Sequence, residues 1–585
     1  MTESIWMLHA KKADFDGLAA RFDISPVTAR IIRNRDIEDE AAFDRYLNGS
    51  LEDLYSPGLL PDMEEAVKRI RRAVKEKRRL RIVGDYDIDG VCATAVLYKG
   101  FARIGADADY VIPERIRDGY GINEQIIEAA AADGIETLVT CDNGIAAISQ
   151  IARAKELGLE VIITDHHDIQ TDGETGADLM PPADAIVNPK RRDSRYPWPE
   201  ICGAMVAFKL IGALYDSYGI DRQEWLELLE FAAVATVGDV MKLKDENRIV
   251  VKEGLKRLAC TGNPGLKSLI LKNAIDPANI SAYHIGFVLG PCLNASGRLQ
   301  TAELAVELLL CGDPARADEI AEELKELNDK RKAMTQENVE AAADQVEKEL
   351  SRDKVLVIFL PDCHESLAGI VAGRIRERYN KPVFVLTRAE GCAKGSGRSI
   401  EEYSMYEELC KCRELLEKFG GHPMAAGLSL PEENVDKFRE KINACANLTE
   451  DDLIPKIKID IPMPAAYADA GLIREFAVLE PFGKANIKPQ FADKNLSITK
   501  AFMVGKNQNV LRLNLVTAAG EAVSAVYFGD IEAFKAYYAE KYGSAEVEKA
   551  FRGQINKLRI MIVYYPEINE YNGVESVQVI IRNYQ

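Results

Sequence analysis

The sequence predicts a multidomain α/β protein: a parallel-sheet domain, a second α/β domain joined to it by a long helix, and a small C-terminal β-barrel. Three observations predict it. From Leu80 onward, short apolar runs alternate with amphipathic ones, the rhythm of βαβ units. Residues Thr301 to Leu350 read as one or two long charged helices, with Glu and Lys in "ADEIAEELKELNDKRKAMTQENVEAAADQVEKEL" spaced for i,i+4 pairing. After "EDDLIPKIKIDIPMP" the chain turns to alternating strands, "VLRLNLVTA", "AVSAVYFG", "LRIMIVYY" and "SVQVIIRN", as a barrel requires. At 585 residues the chain is also too long for one core, and three or four domains is the natural division.

Element by element, the first sixty or so residues read as a helical lead-in closed by the Pro and Gly breakers of "YSPGLLPDM". "LRIVG" is a short apolar strand, and "VCATAVLYKGFARIG" an amphipathic helix ending at Gly105. "ADYVIP" is the second strand, and "INEQIIEAAAADG" a helix stopped by Gly134. The strand "IETLVTC", the helix "IAAISQIARAKELG", and the strands "EVIIT" and "DAIVNP" continue the pattern. The second α/β segment opens at "KVLVIFL" and runs to about Asn447.

Composition limits the function. Apolar content of 47% with 29% charged residues is that of a globular protein, and no apolar run is long enough to span a membrane. The start, "MTESIWMLHAKKADFDG", mixes acids and bases and does not read as a secretory signal. Eleven cysteines without a CxxC pair read as reduced thiols, which places the expectation in the cytoplasm. A net charge of −19 excludes a globally basic nucleic-acid coat, so a polyanion must meet a local basic groove or bound metal. The run "KRIRRAVKEKRRLR", Lys68 to Arg81, has nine Lys/Arg against one Glu and reads first as a solvated helix face.

The stretch "RIVGDYDIDGVCATAV" ends an apolar run in Asp85, Asp87 and Asp89. In an extended segment every second side chain points the same way, so the three carboxylates would crowd one side. Two unit charges ~4 Å apart cost roughly 4 kcal/mol at an effective dielectric of ~20. Three such pairs would rival the stability of a whole domain, about 5–15 kcal/mol, unless something positive sits among them. "TLVTCDNG" places Asp142 after a strand, "VIITDHHD" places Asp165, His166, His167 and Asp168 after another, and "AAVATVGDV" delivers Asp239 after a further apolar run. Any one could be a helix N-cap. Four acidic or His-bearing strand ends should instead converge at the C-terminal edge of a parallel sheet, where ligands bind. Carboxylates with one or two imidazoles suit Mn²⁺ or Mg²⁺, whereas zinc more often recruits thiolates. Two ions sharing a bridging Asp would clamp the attacking and leaving oxygens of a phosphoryl hydrolysis.

"DYDIDG", "CDNGI", "TDHHD" and "VGDV" resemble the four phosphoesterase motifs of the DHH family. Downstream, "GPCLNASGRL", "GSGRS", "FGGHPMAAGLSL" and "LEPFGKANIKPQF" are similar to motifs of that family's bacterial single-stranded-DNA-specific exonucleases, in the same order over nearly the whole chain. The resemblance implies a helical lead-in at 1–60, a DHH domain at 61–300, a connecting helix at 301–350, a DHH-associated domain at 351–450 and an OB-type barrel at 451–585. It implies metal ligands at Asp87, Asp89, Asp142, His166 and Asp239, with Asp85 a further member and His167 catalytic, supporting the ligands from behind or contacting phosphate more than serving as a firm ligand. It also implies a 5′-phosphate pocket of Arg115, Ser396 and Arg398, with Arg298 and His422 contacting DNA near the metals. For Arg298 a salt bridge between domains is an equal alternative.

The implied activity is metal-dependent 5′→3′ degradation of single-stranded DNA to mononucleotides in DNA repair and recombination. Expected partners beyond DNA are a helicase and a single-strand binding protein, with the chain itself a monomer. Two other readings stand beside it. One is a DHH phosphodiesterase on short oligoribonucleotides or cyclic dinucleotides, which length disfavours. The other is a non-catalytic replication scaffold, which the complete set of motif acids disfavours. The chain departs from the pattern at Cys292, at "CHES" (Cys363 to Ser366), and at Ala485 and Ile487. These positions bear on DNA affinity and processivity rather than on the chemistry.

Overall fold

The computed structural model describes residues 4–585 except 116, 118–120, 174, 390, 506–507 and 572. The chain forms two compact units, Ser50–Leu453 and Met1–Gly49 together with Ile454–Gln585.

The first unit is built on a five-stranded parallel sheet. Its order is Ala108–Val111, Leu80–Val83, Thr137–Cys141, Glu160–Thr164 and Ala185–Val187. The chain starts inside the sheet at Leu80–Val83, steps outward one way to Ala108–Val111 and then returns to the other side at Thr137–Cys141. That reversal opens a crevice at the strand C-termini. Both faces are covered, so the inner strands send apolar residues toward both sides rather than alternating. Ile82, Val139 and Ile162 enter one core, while Val83, Leu138, Val161 and Ile163 enter the core on the opposite face. The helix Ile88–Arg103 packs against Gly203–Tyr218 and Leu229–Gly238.

The charged stretch after Thr301 is a short helix, Glu303–Leu310, followed by one of 32 residues, Pro314–Gln345, whose first turn is capped by Asp313. The long helix serves two cores. Ala317, Ile320, Ala321 and Leu324 bury against the parallel-sheet domain, and Ala342, Ala343 and Val346 against the next one. That next domain has a five-stranded sheet in the order Lys418–His422, Ala425–Leu430, Cys392–Arg398, Val383–Ala389, Leu356–Phe359. Only the last two strands run parallel. "GSGRS" lies at the end of its central strand.

The second unit holds the barrel. Strands Phe491–Val504, Val510–Val516, Ala522–Tyr527, Val574–Tyr584 and Arg559–Tyr571 follow one another, and the last pairs back to the first. Register shifts in Phe491–Val504 let that strand bend enough to pair on both sides.

The N-terminal segment is less self-contained than its sequence suggests. It opens with a strand, Ile5–Leu8, that pairs in parallel with Lys456–Ile459. Its helices Pro26–Asn34 and Glu40–Asn48 send Ile31, Ile32, Phe43 and Tyr46 into the same core as Phe476, Phe491 and Tyr564. Arg35 forms a bidentate, buried pair with Asp460 at 2.6 and 3.1 Å. Helices of eight or nine residues are marginal alone, so these need an apolar surface supplied from elsewhere in the chain.

Candidate active site

The sheet edge gathers the acids by three different local devices. Asp85 continues the strand Leu80–Val83 and is almost fully buried. Asp87 is the N-cap of Ile88–Arg103, accepting the N–H groups of Asp89 at 2.9 Å and Gly90 at 3.2 Å. Asp89 lies in that helix's first turn. The three carboxylates therefore meet through a turn and a helix start, not along an extended strand as the spacing suggested. Asp142 follows Thr137–Cys141 and His166 follows Glu160–Thr164.

Asp239 arrives differently from expectation. It ends the helix Leu229–Gly238 and is not at a strand end. The run "LEFAAVATVG" is buried on nearly all sides, so it has no periodicity to separate helix from strand; its Ala content and ten-residue length favour the helix.

The side chains converge in three sets, the first of which, Asp142, His166 and His167, shares a residue with each of the others. Asp85, Asp87 and Asp142 bring carboxylate oxygens within 4.8 Å of one another, and the ligand atoms of Asp89, His166 and Asp239 do the same. His166 Nε2 lies 3.1 Å from Asp142, 3.5 Å from Asp89 and 3.9 Å from Asp239, so Asp142 stands between the sets. Burial, reinforced by the neighbouring acids, pushes the Asp85, Asp87 and Asp142 carboxyls up, while burial pushes the His166 imidazole down. Asp85 Oδ1 and His166 Nδ1 have no hydrogen-bond partner among the described residues. So many acids resisting ionisation around one point, with oxygen donors dominant, fit a hard divalent cation such as Mn²⁺ or Mg²⁺.

Several residues given no metal or phosphate role in the sequence hold this arrangement. Asp165 Oδ1 accepts the backbone N–H of His166 at 2.7 Å and of His167 at 3.1 Å, and contacts His167 Nδ1 at 2.8 Å. Burial opposes charge on His167, but the Asp165 contact and the nearby acids hold its pKa up at about 9. Asn143 donates to the carbonyls of Val83, Gly84 and Cys141, tying two strand ends together. Asn294 accepts the Ile88 N–H at 2.9 Å. Both Asp89 oxygens accept backbone N–H groups at the start of Gly203–Tyr218, from Gly203 at 2.6 Å and Ala204 at 2.7 Å. Asp165 and Asn143 lie within the motifs "TDHHD" and "CDNGI", so their supporting roles had a signal there. Gly203 lies far off in sequence and left no comparable signal.

Beside the acids is a cavity of about 650 Å³ lined by Tyr86, Arg115, Arg298, Ser396 and Arg398 among others. The Arg115 guanidinium sits 3.9 Å over the Tyr86 ring, so the loop bearing Asp85 and Asp87 also floors the cavity. Arg298 donates to the Ser366 carbonyl at 2.7 Å and Arg398 to the Gly397 carbonyl at 2.8 Å. Among the described residues neither forms a salt bridge, against the ion-pair alternative for Arg298. Burial, with Arg115 and Arg331 nearby, pulls Arg298 down to about 10, and burial lowers Arg398 as well. Gly369 gives Arg398 room, since a Cβ there would lie 2.8 Å from Nη2. His422 is outside this lining; it is exposed on the edge strand Lys418–His422 near Asp168, whose carboxyl is held down by its hydrogen bond from Lys190, with His422 a smaller contributor.

The basic run Lys68 to Arg81 does not belong to the site. Arg69, Arg72 and Arg78 surround Glu160, and Arg81 pairs with Asp109 and Asp133. Cys292, one of the departures from the family pattern, is buried against Asn328 and Asn273. Among the described residues, no helix is long and apolar enough to cross a membrane.

The sequence matches the DHH family N-terminal domain over residues 79–236, the DHHA1 domain over 352–448 and the RecJ OB domain over 459–583. It is 34% identical over 570 residues to the single-stranded-DNA-specific exonuclease RecJ of Bacillus subtilis, covering 97% of this chain and 69% of that one. It is 33% identical over 583 residues to RecJ of Salmonella typhimurium, covering 96% of each. Among solved structures, RecJ from Thermus thermophilus in complex with Mn²⁺ matches with a TM-score of 0.81 at 27% identity, over 99% of this chain and 79% of that one. The complex of the Thermus protein with Mg²⁺ matches at 0.75 and 26%, over 99% and 78%.

Proposed function

The chain belongs to the RecJ family of single-stranded-DNA-specific exonucleases, and from that premise we propose that it removes mononucleotides from the 5′ end of single-stranded DNA, using divalent metal held by Asp85, Asp87, Asp89, Asp142, His166 and Asp239. The observation that carries this reading is the adjacency of two unlike sites on one loop: an acid–imidazole cluster and an arginine-lined cavity, joined at Tyr86.

Mn²⁺ or Mg²⁺, two ions in this reading, would polarise the phosphoryl oxygens and lower the pKa of an attacking water. Asp142 would be the carboxylate shared between the ions, since it belongs to the Asp85/Asp87 set and lies 3.1 Å from His166 of the other. The N-terminus of Gly203–Tyr218 orients Asp89, and Asp165 orients His167. His167, oriented by Asp165, contacts a phosphoryl oxygen in this reading and so acts catalytically rather than as a firm metal ligand. Arg115, Ser396 and Arg398 take the terminal 5′-phosphate as charge-assisted donors, with Arg298 on the next part of the backbone. His422, exposed beside Asp168, contacts the strand near the metals. A terminus reader beside the acids sets the direction of digestion, which the metal chemistry alone leaves open.

The barrel serves as a second hold on the strand. Tyr527 and Tyr564 are core, but Phe528 is 63% exposed and Phe502 and Tyr565 are half-buried under Lys500 and Lys488. Exposed aromatics with lysines suit base stacking along a single strand. A helicase and a single-strand binding protein are the partners such a substrate calls for in repair and recombination. One chain supplies the whole acid cluster and cavity, which suits a monomer, and a DNA substrate with free cysteines suits the cytoplasm.

Incubation with Mn²⁺ and a 5′-phosphorylated, 3′-labelled single strand tests the reading. It predicts mononucleotides and a progressively shortened labelled strand. Internal cuts, or release of the 3′ label first, would contradict it.

A further inference from the structure

One surface next to the acids is unused by the proposed chemistry. Tyr283 and Phe287 are 63% and 68% exposed, yet their rings stack with centroids 4.9 Å apart and planes at 26°. Scattered exposed apolar residues are ordinary, but a stacked aromatic pair held open to solvent buries neither ring against the core. The element beneath the pair is built and braced. Ala282 packs on Leu243 and Val251, and Ile285–Leu289 is a π-helical turn, a rare form that recurs at functional sites.

Its position ties it to the metal-binding edge. The π turn packs against Leu229–Gly238, the helix that ends in Asp239. A Cβ on Gly286 would lie 3.5 Å from Val237 Cγ1, two residues before Asp239. Val240, just after Asp239, is 58% exposed and adopts φ 56°, a conformation costly for a β-branched residue. The same helical stretch continues into Gly290–Leu299, which carries Arg298 to the cavity. At 1.5 Å per residue, Phe287 lies roughly 16 Å from Arg298 along that axis. A strand with its terminal phosphate in the cavity, laid over the acids toward Asp239, would bring an internal nucleotide to the aromatic pair.

We propose that Tyr283 and Phe287 form a nucleobase-stacking ledge that holds the strand on the 3′ side of the scissile bond. The proposal rests on the single-strand nuclease reading and adds a positioning site to it. A nucleobase is the occupant because the surface is flat and aromatic, sits on the turn that packs against the helix ending in Asp239 and leads into the helix bearing Arg298, and every base offers a π-face of matching chemistry. The ledge would limit slippage of the strand between successive cuts without selecting sequence.

The test uses the full chain and a 5′-phosphorylated single strand with phosphorothioate linkages, carrying 2-aminopurine at successive positions. Stacking quenches the probe. Wild-type protein should quench it most at one internal position, Phe287→Ala and Tyr283→Ala should lose that quench, and Phe287→Trp should restore it. On the unmodified strand, Phe287→Ala should raise KM roughly tenfold, the scale of one lost base stack. Quenching that is identical in wild type and Phe287→Ala at every position overturns the ledge, and so does a surface that instead binds a protein partner while strand binding is unaffected. Wild-type protein that fails to hydrolyse the unmodified strand contradicts the nuclease reading separately.

Discussion

Asp142 adopts φ 61°, in the left-handed region, and the chain closes so tightly around it that Gly203 has no room for a side chain. A Cβ at position 203 would lie 2.6 Å from Asp142 Cβ and 2.7 Å from its Oδ1. Gly203→Ala should therefore displace the Asp142 carboxylate while leaving the surrounding core filled. Turnover and Mn²⁺ affinity should each fall roughly 10–100-fold, the scale seen when a group supporting a metal ligand is lost. Calorimetric titration with Mn²⁺ alongside rates checks it, and unchanged Mn²⁺ affinity would count against the bridging role. Arg398 offers a second test at this scale. Arg398→Ala should cost roughly 1–3 kcal/mol in activity on 5′-phosphorylated strands, as for loss of a charge-assisted contact, and much less on 5′-hydroxyl strands. Equal losses on both would reject the terminal-phosphate role. That Asp85, Asp87, Asp89, Asp142 and His166 come together was legible in the sequence because each sits in a short local motif beside a strand. The donors that position Asp89 were not, since only the fold brings Gly203 to it.

The helix Gly203–Tyr218 links site and core. Its first N–H groups hold Asp89, and further along it Lys209 is fully buried in an ion pair with Glu246. Lys209 also donates to the Tyr55 carbonyl at 2.7 Å, while Glu246 accepts the Tyr55 N–H at 2.8 Å and the Tyr196 hydroxyl. Removing one partner leaves a buried charge without its counter-ion. Lys209→Met should destabilise the unit by about 3–5 kcal/mol in urea unfolding, and adding Glu246→Gln should recover part of that loss. A single variant with unaltered stability would show that Glu246 is neutral or hydrated there. At this scale the sequence was legible where periodicity exists, as in the alternating strands of the barrel and the i,i+4 pattern of Pro314–Gln345. It was illegible in Leu229–Gly238, where burial on nearly every side erases the pattern that distinguishes helix from strand.

At the scale of the molecule, residues 1–49 and 454–585 share one core, so neither is an independent appendage. Removing 454–585 alone should uncover Ile31, Ile32, Phe43 and Tyr46 and yield aggregating protein. Trimming to 50–453 should yield a soluble chain that still cleaves short oligonucleotides but binds long single strands more weakly. Light scattering and strand-length-dependent affinity distinguish these outcomes; unchanged affinity for long strands would remove the barrel from DNA binding. The sequence displayed the amphipathic faces of the N-terminal helices but not their partner, because periodicity shows that a face must be buried and not by what. The central claim, hydrolysis by metal bridged at Asp142 on a strand held elsewhere, is tested most directly by comparing wild type with Asp142→Ala. Both would be given Mn²⁺ and a 5′-phosphorylated, 3′-labelled single strand, with binding and cleavage measured in parallel. Wild type should release mononucleotides, and Asp142→Ala should turn over several orders of magnitude more slowly while binding the strand. Near-normal hydrolysis by Asp142→Ala would contradict the account.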